Sequence, residues 1–486
     1  MHKYLPLLGM MLLLSACPRA PKLVRPEVPV PSAWPDTGAA AGKGAPLAAE
    51  TQWREFFVDG KLRAVIDLAL KNNRDLRAAA LAIDKFQALY RIQRAESYPT
   101  VSVSGGAEFY RLPGRMSATG QGETVQQYNV NLGVAAWEPD FFGRIRSLKS
   151  AALEQYLATK QARSATQVSL VAAVAETFLA LAADRENLRL ARATLETQQA
   201  SRDLIRKIVD MGMTSELDLR QAESQVEAAR VDIARYTGQI ELDRNALDLL
   251  VGAAVPDDLL PEDLETAGKV KDVSPGLPSE VLLSRPDILL AEHQLKAAEA
   301  NIGAARAAFF PRITLTGGLG FMSGDLLDLF KFGSRTWNFA PQVVLPIFDY
   351  GSRKANYQSV QVDREIYVAT YEKAIQSAFR EVSDALELRK SLLAQQEAQQ
   401  ALVNSLEATF RLSEARYREG IDGYLVVLVA QRALYVAQQR MLTLRLARAV
   451  NLVSLYKVLG GGASGPAESP GKSAETSAPP TKKPGE

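Results

Sequence analysis

The sequence predicts an α+β membrane protein in which several chains pool pieces of one transmembrane β-barrel, continued by very long helices and carried twice per chain. Three observations support this class. YPTVSVSGGAEF (98–109) and FPRITLTGGLGF (310–321) repeat one another across an offset of 212 positions. Each is followed by a second segment of alternating apolar and polar residues. The runs 144–211 and 353–418 hold neither proline nor glycine.

From the N-terminus, MHKYLPLLGMMLLLSAC places His2 and Lys3 before an apolar run and ends in Leu14-Ser15-Ala16-Cys17. This is a secretory signal (1–16) closing in a lipobox, whose cysteine receives an N-acyl diacylglycerol. The expected mature chain starts at a lipidated Cys17 and runs through an extended segment to residue 59. Pro18 follows the cysteine rather than the aspartate that holds lipoproteins in the inner membrane, so outer-membrane sorting is expected. With Cys17 acylated, no thiol remains for a disulfide.

Composition excludes much else. The 57 basic and 55 acidic residues are interleaved and give a formal charge of +2, so nucleic acid is not an expected partner. His2 and His293 are the only histidines, which leaves little for a His/Cys metal site, and no cofactor is expected. No enzymatic activity is expected either. GPAESPGKS (465–473) has five residues between Gly465 and Gly471 where a phosphate-binding loop needs four, and it lies in a Pro/Ser/Lys tail (463–486) read as disordered. VSLVAAVAETFLALAA (168–183) is too short to span a bilayer and carries Glu176. Its Val168, Val171, Ala175, Phe178 and Ala182 step by three and four, the seam of a helix packed on helices.

The repeat sets the domain plan. An offset of 212 aligns Asp75 with Asp287 and Pro99 with Pro311, and an offset of 208 aligns Gly143 with Gly351, Gly212 with Gly420 and Gly252 with Gly460. Two copies (60–260 and 280–462) are expected around a linker (261–279). Each copy reads as a helix of about 25–35 residues, two strands, a long helix outward, a tight turn and a helix back. The strands are placed near 99–111, 125–138, 311–322 and 336–347. Val101, Val103, Ala107 and Phe109 oppose Ser102, Ser104 and Glu108, a pattern suited to a lipid-facing wall around a wet lumen. Four strands cannot close a barrel, and open edges in lipid leave backbone groups unpaired at several kcal/mol each, so chains must share one. Two chains would give eight strands with a filled interior; three would give twelve and a passage. A continuous helix over 353–418 would reach roughly 100 Å.

The order of these motifs resembles the TolC-like outer-membrane factors, in their OprM-like lipoprotein branch. The resemblance rests on the lipobox, TQWREFFVDGKLRAVIDLALKNNRDL (51–76), WEPDFFGRIRS (137–147), SRPDILLAEHQLKAAEANIGAARAAFFPRITLTG (284–317), LPIFDYGSRKA (345–355) and the turns MGMTSELDLRQAE (211–223) and ARYREGIDGYLVVLVAQRAL (415–434). It implies a homotrimer with a twelve-stranded barrel in outer-membrane lipid and a periplasmic helical tunnel. It also implies a periplasmic adaptor and an inner-membrane pump, of the RND type, as partners in drug efflux. A duct for type I protein secretion and a non-conducting lipid-anchored coiled-coil spacer are the alternatives.

By the same resemblance Gly212, Thr214, Ser215, Gly420 and Asp422 belong to tips that meet the adaptor. Asp218 and Tyr417 tie neighbouring helices and hold the tunnel shut, and Leu425 and Val429 form its constriction. Relatives carry an aspartate where this chain has Val429, so an apolar rather than an acidic ring is expected here.

Overall fold

The computed structural model describes residues 50–118, 120–271 and 284–461, with Val30, Pro31, Trp34, Leu47, Ala48 and Val273. The signal segment 1–16, Cys17 and the tail 463–486 lie outside the described residues.

Strands β1 (Val101–Leu112), β2 (Glu123–Trp137), β3 (Arg312–Ser323) and β4 (Arg335–Val344) form one antiparallel sheet in the order β1-β2-β3-β4. Residues directly opposite one another share a face, so the register shows what each face carries. Val103, Leu132, Leu319 and Trp337 line up across all four strands, and so do Gly105, Val130, Phe321 and Arg335. The other face aligns Ser104, Asn131, Gly320 and Thr336, then Ser102, Gly133, Gly318 and Asn338. One face is therefore broadly apolar, the other small and polar. Glycine at 320 is steric: a Cβ there would collide with the Asn131 side chain and the Val130 carbonyl. A bulge between Val134 and Trp137 interrupts the β2/β3 pairing, which resumes with Trp137 opposite Leu315, and the Thr316 hydroxyl accepts from the freed Ala136 N–H at 3.0 Å.

The helices are α1 (Trp53–Phe56), α2 (Gly60–Asn72), α3 (Arg74–Ala95), α4 (Arg144–Asp210), α5 (Glu216–Val251), α6 (Leu264–Ala267), α7 (Pro286–Ala307), α8 (Ser352–Arg418) and α9 (Tyr424–Val458). Both α4 and α8 have 67 residues, or about 100 Å of helix at 1.5 Å per residue. The strands sit at one end of these rods and the tight turns at the other. Midway along both lies the main apolar core: Val174, Ala175, Phe178 and Leu181 of α4 and Val382 of α8 meet Val65 and Ile66, Leu247 and Val251, and Val453 and Leu455. Each is essentially solvent-free, worth about 1.5–3 kcal/mol per large side chain. Phe56 stacks on Tyr456 at 4.1 Å, and the Tyr456 hydroxyl donates to the Thr51 carbonyl at 2.7 Å.

Two expectations change. The segment before residue 60 is not wholly extended, because α1 and the residue that ends it bury Phe56 and Phe57 in the core. Leu264, Ala267 and Val273 of the linker join the same core. The helices before β1 and β3 are 22 residues each, because the chain leaves the helical conformation at Asn73 and Arg285.

Those breaks are joints between helix ends. Gly252, at φ 77°, caps α5 against the Asn72 carbonyl, so α5 butts onto α3. Asn73 secures the joint: its oxygen accepts from Leu76 N at 2.8 Å and its amide donates to the Leu250 carbonyl at 2.9 Å. In the second copy Gly460 abuts Arg285, which donates to the Val458 carbonyl at 2.7 Å and pairs with Asp287 at 2.7 Å and Glu381 at 2.8 Å. Burial opposes charge on Asp287, but the Arg285 guanidinium outweighs it and holds that carboxyl below its usual pKa.

The joints should differ in strength. Asn73→Ala removes a cap and one tie, an expected loss of about 1 kcal/mol. Arg285→Met takes the donor from the Val458 carbonyl and from two half-exposed carboxylates, which water partly compensates, an expected loss of about 2 kcal/mol. Thermal unfolding of the detergent-purified protein should show the larger downward shift for Arg285→Met; equal shifts would contradict this account.

Candidate functional site

The two turns, 211–215 and 419–423, lie side by side at the far end of the rods and are held together by a small core. Ile205 of α4, Ala222 of α5 and Tyr424, Val427 and Leu428 of α9 are buried there, with Val209, Leu219, Phe410 and Tyr417 packed around them. Tyr424 and Tyr417 meet edge-on at 5.4 Å. The packing joins the two hairpins of one chain into a single tip.

Each turn reverses at a glycine in the left-handed region, Gly212 at φ 73° and Gly420 at φ 69°, where a side chain would be strained. Ser215 then caps α5, accepting from the Asp218 N–H at 3.3 Å. The Asp218 carboxylate accepts from Thr214 Oγ1 at 2.6 Å and Ser215 Oγ at 2.9 Å. The Thr214 bond in particular holds its pKa below the usual value. Thr214 and Ser215 thus direct their hydroxyls at Asp218, and Asp218 is engaged by its own turn. Its charge still reaches Tyr417, whose phenol is pushed up by burial and, secondarily, by Asp218. In the other turn Asp422 takes a two-pronged ion pair from Arg416, at 3.0 Å for the longer contact, and its pKa is lowered by that guanidinium.

Leu425 and Val429 stand one turn apart on α9 and are 54% and 53% exposed. Val426 shares this exposure, while Val427 and Leu428 turn into the tip core. The run LVVLV therefore divides between two faces, with Leu425 and Val429 on the uncovered one.

One contact between the hairpins escaped sequence reasoning. Above the tip the Tyr435 hydroxyl of α9 donates to Asp232 Oδ2 of α5 at 2.8 Å, and Gln439 reaches the Tyr236 hydroxyl at 3.2 Å. Arg235 pairs with the same Asp232 at 3.0 Å. The partners are 203 residues apart, so no local pattern marks them.

The fold and tip define a class: a chain with a bilayer-suited strip of β-barrel at one end, and paired helical hairpins reaching about 100 Å from it, the protomer of a tunnel-forming outer-membrane channel. The chain belongs to the outer membrane efflux protein family, whose sequence profile matches residues 65–253 and 277–461. It is similar to the antibiotic efflux pump outer membrane protein ArpC of Pseudomonas putida, at 47% identity over 453 residues covering 93% of each chain. It matches the toluene efflux pump outer membrane protein TtgC, also of Pseudomonas putida, with the same identity and coverage. The crystal structure of the open state of the Neisseria gonorrhoeae MtrE outer membrane channel superposes with a TM-score of 0.84 at 36% identity, covering 92% of this chain and 98% of that one.

Tyr435→Phe keeps the ring and removes the hydroxyl that links the hairpins. The expected cost is about 1–2 kcal/mol, because Asp232 loses one donor but keeps Arg235. Amide exchange over 228–240 and 431–443 should rise in the variant while the tip turns stay unchanged; unaltered exchange would show that the contact carries no load.

Proposed function

We propose that three copies of this chain close one twelve-stranded barrel in the outer membrane and continue as a helical tunnel, the exit duct of an efflux system. The observation that carries this reading is the four-stranded sheet itself. Its register joins one apolar face and one polar face across all strands, while the outer edges of β1 and β4 have no partner among the described residues. In lipid such edges must pair with another copy. The flanks fit the same assembly: Leu81, Leu89 and Ile92 on α3 and Val362 and Ile366 on α8 are uncovered in the single chain.

The membership and the names of its relatives favour efflux of small toxic compounds, in the range from antibiotics to toluene. A periplasmic adaptor seated on the tips at Gly212, Thr214, Ser215, Gly420 and Asp422, and an inner-membrane pump of the RND type, complete the proposed system. A diacylglycerol on Cys17 would anchor each chain beside the barrel.

The gate follows from the tip. Leu425 and Val429 from three chains would narrow the tunnel with apolar side chains, which resist wetting and so block ions. Asp218 and Tyr417 would tie neighbouring helices together and hold the tunnel end shut.

The purified protein is expected to be a trimer without a stable folded monomer; a monodisperse folded monomer by light scattering would sink the duct. In planar bilayers the closed channel should conduct little and ignore trivalent cations. Val429→Asp should make it cation-blockable, and Asp218→Ala should raise its leak. A wild-type channel already blocked by trivalent cations would place the constriction elsewhere.

A further inference from the structure

The duplication shows how a second copy meets the sheet. Inside the chain β2 pairs with β3; on the trimeric barrel proposed above, on which this inference rests, β4 of one chain pairs in the same way with β1 of the next. An offset of 212 carries β1 onto β3, and one of 209 carries β2 onto β4, matching Tyr128-Asn129 with Trp337-Asn338. The change from 209 to the 208 found after the strands is the extra residue of the β2 bulge, which β4 lacks. Tyr128 stands opposite Ser323 and Val130 opposite Phe321. Trp337 therefore stands opposite Arg111 of the next chain, and Phe339 opposite its Phe109.

This register gathers two arginines at the rim of the seam. Arg335 lies opposite Phe321 on the apolar face, and Arg111 alternates with Ala107 and Phe109 onto that same face. Across the seam they are diagonal neighbours, close enough for long side chains to reach one anion. Both are exposed, and neither has a carboxylate partner among the described residues. The nearby acids are engaged or turned away. Asp328 pairs with Lys331, and Asp325 accepts from the Leu327 N–H at 3.0 Å. Glu108 and Glu123 stand on the polar face, opposite Gln127 and Leu112. At the seam inside the chain the equivalent positions hold Ser323 and Gln126, so the paired charge belongs to the seam between copies alone.

The surface around the pair is aromatic. The Arg335 guanidinium lies over the Phe332 ring at 4.0 Å, and Phe330 meets Phe321 edge-on at 5.6 Å, so the β3–β4 loop folds onto the apolar face. Phe332 and Trp337 are 78% and 75% exposed. The long helices leave the strands at the opposite end, which puts this rim in the outer leaflet. Guanidinium forks match phosphate oxygens, and exposed rings beside them offer a bed for acyl chains.

We infer that Arg111 of one chain and Arg335 of the next form, at each seam of the trimer, a binding site for a phosphorylated, multiply acylated glycolipid of the outer leaflet. The two guanidiniums hold its phosphate, and Phe332, Trp337 and Phe339 receive its chains.

Native mass spectrometry of the full-length trimer in detergent with added lipid A tests this. Up to three lipids should bind per trimer, and Arg111→Gln combined with Arg335→Gln should weaken binding roughly tenfold or more, with trimer mass and bilayer conductance unchanged. Gln126→Arg combined with Ser323→Arg rebuilds the pair at the internal seam and should add up to three further lipids. Equal binding by the wild type and the double glutamine variant would overturn the site. So would equal binding of lipid A stripped of its phosphates, or of phosphatidylglycerol. A protein that is not a trimer before lipid is added overturns the duct and the site together, whereas a conducting trimer indifferent to lipid A overturns the site alone.

Discussion

Backbone hydrogen bonding in a solvent that offers none is the constraint on which this architecture depends. A strip of four strands satisfies its inner edges and leaves two outer ones, and lipid cannot repair the deficit. The chain can resolve this only by joining its β1 edge to the β4 edge of a copy. Everything else follows the same geometry. Flanking helices must then rise from neighbouring strands around a ring, which leaves apolar positions on α3 and α8 uncovered in the single chain. The polar face of the sheet, lined by Ser102, Ser104, Asn131 and Asn338, becomes an interior surface.

The long helices raise a second problem, since rods of 67 residues have little intrinsic reason to stay aligned. The mid-length core supplies that reason. It gathers α4, α8, the ends of α5 and α9, and the chain segments near 56 and 264 into one apolar cluster. The tip cluster around Tyr424 supplies another. Between these points the seams are mixed: Val403, Ala437 and Met441 form a further apolar cluster between α8 and α9, and beside it Gln399 donates to the Ala437 carbonyl at 2.9 Å and Tyr435 to Asp232.

Much of this was legible because it is periodic. Alternation in VSVSGGAEF and RITLTGGLGF reveals strands, their shared Gly-Gly reveals the duplication, and long runs without proline or glycine reveal the rods. What was hidden is not periodic. Asn73 and Arg285 occupy equivalent positions and fasten equivalent joints, yet by unlike chemistry, so neither announces the other. The linker 261–279 reads as a connector from its proline, glycine and aspartate content, although Leu264 and Ala267 are core residues. At the tip, sequence identified Thr214, Ser215 and Asp218 together but not that they bond to one another. A capping motif beside a functional turn looks the same as a docking surface until the hydroxyls are placed.

The butt joints have a mechanical consequence. Beside each uninterrupted rod runs a rod in two pieces, α3 on α5 or α7 on α9. Compression presses the Gly252 end of α5 toward the Asn72 carbonyl, where the two backbones already lie too close to admit a Cβ. Tension is resisted in the first copy by the hydrogen bonds of one asparagine, and in the second by a buried arginine with two carboxylates. A hairpin built this way is stiff when bent toward its jointed side and compliant when bent toward its continuous side, where the joint has only to gape. Of the two hairpins, the one spliced at Asn73 gapes at the lower force, so deformation of the tunnel has both a preferred direction and a preferred half of the chain.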